Sequence, residues 1–328
     1  MTPDTTDPSY WLNWRFLVSA LYVLGTVVSA LYLIWKYEGK GKLVDERTDH
    51  RQVPIGILYK DELWKTCVEC IHPFWLLLFR VSAFCVLLAL IIGNTIYDGL
   101  GIYYYYTQLT FTLTTIYFGL ASGFSLYGLF HKHDGAYLSK TSSQNADAEH
   151  GSNGYIRSDQ EIPLLKNLSN DGEVRVRQIA GFMGYLFQIV YQVAAGAVLL
   201  TDIVFWLLLY PVKTAGNSKI AFFDACMHSV NMLILGDAAL NNMRFPIFRV
   251  GYFVLWTAAF VFYQWIIHVF VSLPWPYPFM DLSPPTSPLW YLAVGVMHIP
   301  SYGGFALIIK LKHLLLSRSI SDSYHDLR

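Results

Sequence analysis

The sequence predicts an all-α fold, a polytopic transmembrane helix bundle of seven spans with its N-terminus outside and its C-terminus in the cytoplasm. Three observations carry this. Hydrophobic side chains make up 54% of the 328 residues and charged ones 14%, too little polar surface to clothe a water-soluble globule of this size. Seven stretches are apolar over the roughly 20 residues that a helix rising about 1.5 Å per residue needs to cross a hydrocarbon core about 30 Å thick. Lys and Arg, finally, concentrate in alternate connections, as they do in cytoplasmic loops. The formal net charge is zero, so no overall field argues for nucleic acid as a partner.

Taken in order, residues 1–11 carry Asp4 and Asp7 and no basic side chain, unlike the positive leader of a secretory signal. The first apolar run, 12–35, is therefore expected to remain as a span. A basic cytoplasmic loop over 36–72 follows, then spans at 73–97 and 103–130 that complete a first block, 12–132. Residues 133–175 are rich in Ser, Asn, Asp and Gly and nearly free of aromatics. Such a stretch cannot bury enough apolar surface to order itself and reads as a disordered cytoplasmic loop, on which Asn167-Leu168-Ser169 would be a silent glycosylation pattern. The second block, 176–316, holds spans at 180–210, 219–240, 248–272 and 288–315, and 317–328 forms a cytoplasmic tail. The fourth run exceeds one perpendicular crossing and is expected to tilt, or to begin as a cytoplasmic helix near Arg177.

Nineteen of the 23 Lys and Arg fall in the loops after spans one, three and five or in the last turns and tail. Lys213 and Lys219 lie on the opposite flank, and Arg15 and Arg80 lie within or at the edge of spans. That asymmetry places the N-terminus outside, in the plasma membrane or the endoplasmic reticulum. Four scattered cysteines make no disulfide scaffold; Cys67 and Cys70, near His72 at the start of span two, read as free or palmitoylated thiols.

Ionisable groups inside spans are costly, so each is a functional candidate. Thr107, Thr110 and Thr114 share one face of span three, as Asp224, His228 and Asn231 share one face of span five, where a carboxylate one turn from an imidazole is placed to orient it. His268, His298 and Asp202 fall in the same outer half, so these groups are expected to converge on a polar pocket that opens outward. No two His stand at i, i+4, and neither a metal nor another cofactor is expected. In the inner half, Arg80 and Asp237 lie at comparable depth and are expected to form a buried ion pair that survives exchange of its two members.

Several segments resemble a known group. Tyr105-Tyr106-Thr107-Gln108-Leu109-Thr110-Phe111 with Tyr117-Phe118-Gly119, Phe205-Trp206 with Tyr210-Pro211, His228, and Trp275-Pro276-Tyr277-Pro278-Phe279 are similar to the androgen-dependent TFPI-regulating protein family of membrane hydrolases. His228, Asn231 and Asp237, followed by Arg244 and Pro246, look closer still to the rolling stone proteins, one of which is linked to myoblast fusion. Plant members of this group are similar over nearly the whole chain, first span included. The resemblance covers about residues 73–316. It implies a lipid-ester hydrolase with Thr107 as nucleophile and His228 as base, although Asp224 and Ala225 stand where the hydrolases have Asn and His. The implied partners are membrane lipids, including the lipid ester itself.

The alternative is a non-catalytic membrane protein of adhesion, fusion or complex assembly. A seven-helix receptor is disfavoured by Phe130-His131-Lys132 at the end of span three and by the lack of Asn-Pro-x-x-Tyr in span seven. Pro300, Gly303 and Gly304 would suit the broken helix of a transporter but are commoner as packing features.

Overall fold

Lipid offers no hydrogen bonds, so an apolar chain crossing it closes its own as helix. The computed structural model describes residues 4–38, 56–68, 70–131, 166–168, 174–176, 178–215 and 221–319, and its main elements follow that rule. They are α1 (Trp14–Glu38), α2 (Pro73–Asp98), α3 (Tyr106–His131), α4 (Phe182–Val204), the short α5 (Phe222–Met227) and α6 (Leu233–Leu240), α7 (Val250–Phe270) and α8 (Ser287–Ser319). Helix α4 is prolonged by a π turn, Phe205–Leu209, and a final α-helical turn, Tyr210–Ala215. With these extensions, six helices, all but α5 and α6, are long and apolar enough to cross a membrane. The chain is a multi-pass integral membrane protein.

The fifth apolar run departs from the single helix expected over 219–240. It breaks where His228 closes α5, Ser229 leaves helical geometry at φ −135° and ψ −47°, and a 3-10 turn over Val230–Met232 leads into α6. The break releases the His228 carbonyl from the helical ladder, and the indole of Trp206 caps it, Nε1 donating at 2.9 Å. The two pieces still run the length of α2 and antiparallel to it. Phe223 packs on Tyr97 near one end of α2, and Gly236 and Asp237 meet Phe79 and Arg80 near the other.

Nor does α4 begin near Arg177. Residues 178–180 are extended and pair with the loop before α2, Lys60 N–H donating to Gln178 O at 2.9 Å and Ala180 N–H to Leu58 O at 2.8 Å. The surplus length of this span lies at its other end, in the π turn. Lys166–Leu168, in the 133–175 stretch, pairs antiparallel with Val174–Val176 at its end; the rest of that stretch lies outside the described residues.

Helix α4 is the hub, packed against α3, α7 and α8, while α1 lies outside against α7 and α8. Its Ala194-Ala195-Gly196-Ala197 is fully or almost wholly buried, and a side chain at Gly196 would meet Phe253 of α7 at 2.7 Å, so small residues set this approach. An aromatic column fills the centre, with Tyr117 stacked on Phe187 at 5.4 Å and Tyr191 meeting Phe245 and Phe305 edge-on.

The two ends of the bundle differ. At one, Trp11 meets Trp275, Phe16 meets Trp265, and Tyr10 donates to Asp281. At the other, Arg249 holds Glu38 in a fork at 3.0 and 2.7 Å, Arg244 donates to Glu62 at 2.6 Å, and Lys312 Nζ donates to the carbonyls of Ala238 and Asn241. We call these the aromatic end and the basic end.

Candidate functional site

A cavity of about 720 Å³ lies between α1, α4, α7 and α8, running from the first turn of α3 and the loop carrying Tyr277, towards the aromatic end, to Val250 and Gly251 in the first turn of α7. Its walls are mostly Leu, Val and other apolar side chains. Leu21, Gly25 and Ser29 of α1 and Leu292, Val296 and Ile299 of α8 line it while also facing outward. The cavity therefore opens sideways, where acyl chains of a bilayer would lie.

Three of the candidate residues line it: Thr107, His228 and His298. His228 is held on all sides but one. Its Nδ1 stands 3.2 Å from Asp202 Oδ1, its ring lies flat on Phe205 at 3.8 Å and 4°, and its carbonyl is the one that Trp206 caps. Asp202, Phe205 and Trp206 come from one face of α4 where the π turn begins, an irregularity often found at functional positions. Asn231, beyond the break, donates to the same Asp202 oxygen at 2.8 Å. The other oxygen, Asp202 Oδ2, is buried with no hydrogen-bond partner among the described residues, and nothing among them bonds His228 Nε2.

The carboxylate on the His228 ring is thus that of Asp202, from α4. Asp224 stays one turn back on α5, its main-chain carbonyl accepting the His228 N–H at 3.2 Å. Thr107 is the second residue of α3, where an N–H has no carbonyl of its own helix to donate to. Its N–H and its Oγ1 both lie 3.3 Å from the Tyr277 hydroxyl. Burial raises the Tyr277 phenol above its ordinary pKa, so it stays protonated and able to donate at neutral pH.

Other candidates have different surroundings. Thr110 is buried away from the cavity, and Thr114 donates to the Thr110 carbonyl at 2.9 Å, a bond within one helix. His268 is outside the cavity, stacked on Trp275 at 3.7 Å, with Nδ1 2.7 Å from Gln264 O and Nε2 2.9 Å from the Tyr104 hydroxyl. Tyr104, in the turn before α3, has its pKa pushed up to about 12, chiefly by burial. His298 does line the cavity, with Nε2 2.8 Å from Thr257 Oγ1, and Thr257 lines it too. Sequence reasoning missed Thr257, the one Ser or Thr in the apolar run of α7, with no periodic partner. It also missed the indole of Trp206 as the cap on a broken helix.

In the half nearer the basic end, Arg80 and Asp237 form a forked pair, Nε–Oδ1 2.7 Å and Nη2–Oδ2 3.3 Å, with both side chains fully buried. Arg80 also donates to Leu63 O, Ala121 O and Ser125 Oγ, and Asp237 accepts from Asn241 Nδ2 and the Tyr117 hydroxyl. Among the described residues no three His, Cys, Asp or Glu side chains gather as metal ligands.

The chain matches no family model, no curated protein and no solved structure. The geometry defines the class: an integral membrane helix bundle with a laterally open apolar cavity and an imidazole, backed by a carboxylate, on its wall.

Proposed function

We propose that this chain is a seven-crossing protein of the plasma membrane or endoplasmic reticulum, N-terminus outside, that hydrolyses lipid esters in its cavity with Thr107 as nucleophile and His228 as general base. The observation that carries the reading is the state of His228, fixed at Nδ1 by Asp202 and unbonded at Nε2, on the wall of an apolar cavity that also exposes Thr107. Seven crossings are supported by the path of α5 and α6 along α2, and the sidedness by the Arg and Lys gathered at the basic end. The resemblance to the androgen-dependent TFPI-regulating hydrolases points to the same two residues.

Thr107 and His228 both line the cavity with no hydrogen bond between them, and the reading joins them through a bound ester. With Nδ1–H donated to Asp202, the lone pair sits on Nε2 and takes the Thr107 proton as Oγ1 bonds to the ester carbonyl carbon. Tyr277, its hydroxyl 3.3 Å from Thr107 Oγ1, stands beside Thr107 as a donor for the oxyanion that forms. The proton then leaves on the alcohol, and water releases the acid. Apolar walls take the acyl chain, which arrives from the bilayer without crossing water.

Purified protein in lipid nanodiscs, offered long-chain acyl esters, tests this. Release of free acid that falls by at least about a hundredfold in both Thr107→Ala and His228→Ala is the expected result. No release by the unmodified chain, or release unchanged by both substitutions, would overturn it and favour the non-catalytic reading in adhesion, fusion or assembly.

A further inference from the structure

The cavity holds a second hydroxyl and imidazole pair, on helices that carry neither Thr107 nor His228. His298 Nδ1 lies 2.9 Å from the carbonyl of Val294, which accepts and cannot donate, so Nδ1 carries the proton and Nε2 the lone pair. Thr257 Oγ1, 2.8 Å from that Nε2, is therefore the donor. Its oxygen in turn sits 2.9 Å from the hydroxyl of Tyr106, which is left to donate to it. This differs from four other threonines of the span helices. Thr112, Thr114, Thr115 and Thr201 turn their hydroxyls back onto carbonyls of their own helices at 2.8 to 3.0 Å. The corresponding carbonyl for Thr257, that of Phe253, is 3.3 Å away, farther than the imidazole.

We propose that Thr257 is a second nucleophile of this cavity, with His298 as its general base, acting on the carbonyl carbon of a lipid ester that enters between α1 and α8. The substrate class rests on the hydrolase reading above, but the residues do not. As Thr257 Oγ1 bonds to the carbonyl carbon, its proton passes to His298 Nε2. The tetrahedral adduct expels the alcohol, whose oxygen takes that proton, and an acyl–Thr257 ester remains. Water then attacks the acyl carbon, giving its proton to His298. The acyl–oxygen bond breaks, the carboxylic acid leaves and the hydroxyl is restored. Tyr106, its hydroxyl 2.9 Å from Thr257 Oγ1, holds the attacking oxygen in place.

The test is to treat the full chain in nanodiscs with a long-chain alkyl fluorophosphonate, whose phosphorus loses fluoride to an activated hydroxyl, and to map the adduct by fragment mass spectrometry. Thr257 lies on α7 and Thr107 on α3, so the two adducts fall in different peptides. An adduct on Thr257 that drops by at least about a hundredfold in His298→Gln, and persists on the serine of Thr257→Ser, is the expected result. Adduct on Thr107 alone overturns this proposal and leaves the Thr107 reading standing. Adduct on Thr257 alone does the reverse, and none at either position sinks both. An adduct on Thr257 undiminished in His298→Gln also overturns the pairing. If that variant does not fold, the map of the unmodified chain decides.

Discussion

Asp237 and Asp202 are both carboxylates buried within the span helices, and they are treated in opposite ways. Asp237 accepts from Arg80 through both oxygens and from Tyr117 and Asn241 besides, while Arg80 spends its remaining donors on two carbonyls and a serine. Asp202 gives one oxygen to His228 and Asn231 while the other has no partner among the described residues, and none of them bonds the second nitrogen of the imidazole it holds at the cavity. A saturated network removes the cost of burying charge and leaves nothing over for chemistry. An unsaturated one retains capacity to take up a proton. The contrast teaches which polar cluster in a membrane bundle is architecture and which is a candidate for catalysis.

The sharpest break in that comparison is at Arg80. Truncating either Arg80 or Asp237 to Ala strands the other charge in a site without water, a loss of about 3–5 kcal/mol. Thermal unfolding followed by gel filtration in detergent should show little folded protein. Exchange of the two residues, which the sequence alone suggested would rescue the fold, is expected to fail. It would set a guanidinium against the donors of Asn241 and Tyr117, and a carboxylate against the carbonyls of Leu63 and Ala121. Recovery of full thermal stability by the exchanged chain would show that the pair, not its surroundings, holds this half together.

The same kind of substitution at Asp202 should behave otherwise. Asp202→Asn removes the charge that orients His228 but keeps the shape and one acceptor oxygen. The expected result is a melting temperature close to that of the unmodified chain, with ester hydrolysis lowered by roughly a hundredfold or more. A chain that fails to fold would put Asp202 in the same structural class as Asp237.

The long apolar helices were legible in the sequence because they follow from apolar runs of spanning length, and so were two of the three candidate histidines, His228 and His298, which line the cavity, because an imidazole in lipid stands out among apolar neighbours. The break at His228 was not. No proline or glycine marks it, and it is held by a tryptophan 22 residues earlier that caps the freed carbonyl. Periodicity put Asp224 on the face of His228, whereas the actual carboxylate comes from another helix through a π turn that no residue pattern announces. The exposed wall of the cavity was equally silent, since lipid-facing and cavity-facing Leu and Val read alike.

That wall can be altered without touching either carboxylate. Gly25 of α1 and Gly295 of α8 both line the cavity, and an added Cβ at either would meet nothing within 4 Å. Leucine at both positions narrows the lateral opening while removing two helical glycines, each of which costs a helix up to about 1 kcal/mol relative to Ala. Stability is expected to hold or rise, and hydrolysis of long-chain esters to fall about tenfold while that of short-chain esters, which need less of the cavity, changes little. An equal loss for both chain lengths would mean that entry is not sideways.

The smallest effect expected leaves fold and activity alone and asks which end of the bundle faces the cytoplasm. Cys67 is buried at the basic end, its Sγ 3.2 Å from the Ala239 carbonyl, and burial pushes its thiol pKa up, whereas Cys70 three residues on is exposed. Because the reactive species is the thiolate, raising the pKa adds to the steric protection of Cys67 at neutral pH, and protection weakens as pH rises towards that higher value. A charged maleimide that does not cross membranes should modify Cys70 at least about tenfold faster than Cys67 in the folded chain, with the difference lost in detergent that unfolds it. In sealed vesicles, Cys70 should react only when its reagent is supplied on the cytoplasmic face. Reaction from the opposite face would invert the bundle, put the mouth of the cavity in the inner leaflet, and change which lipids reach Thr107 and Thr257 without altering the geometry around either.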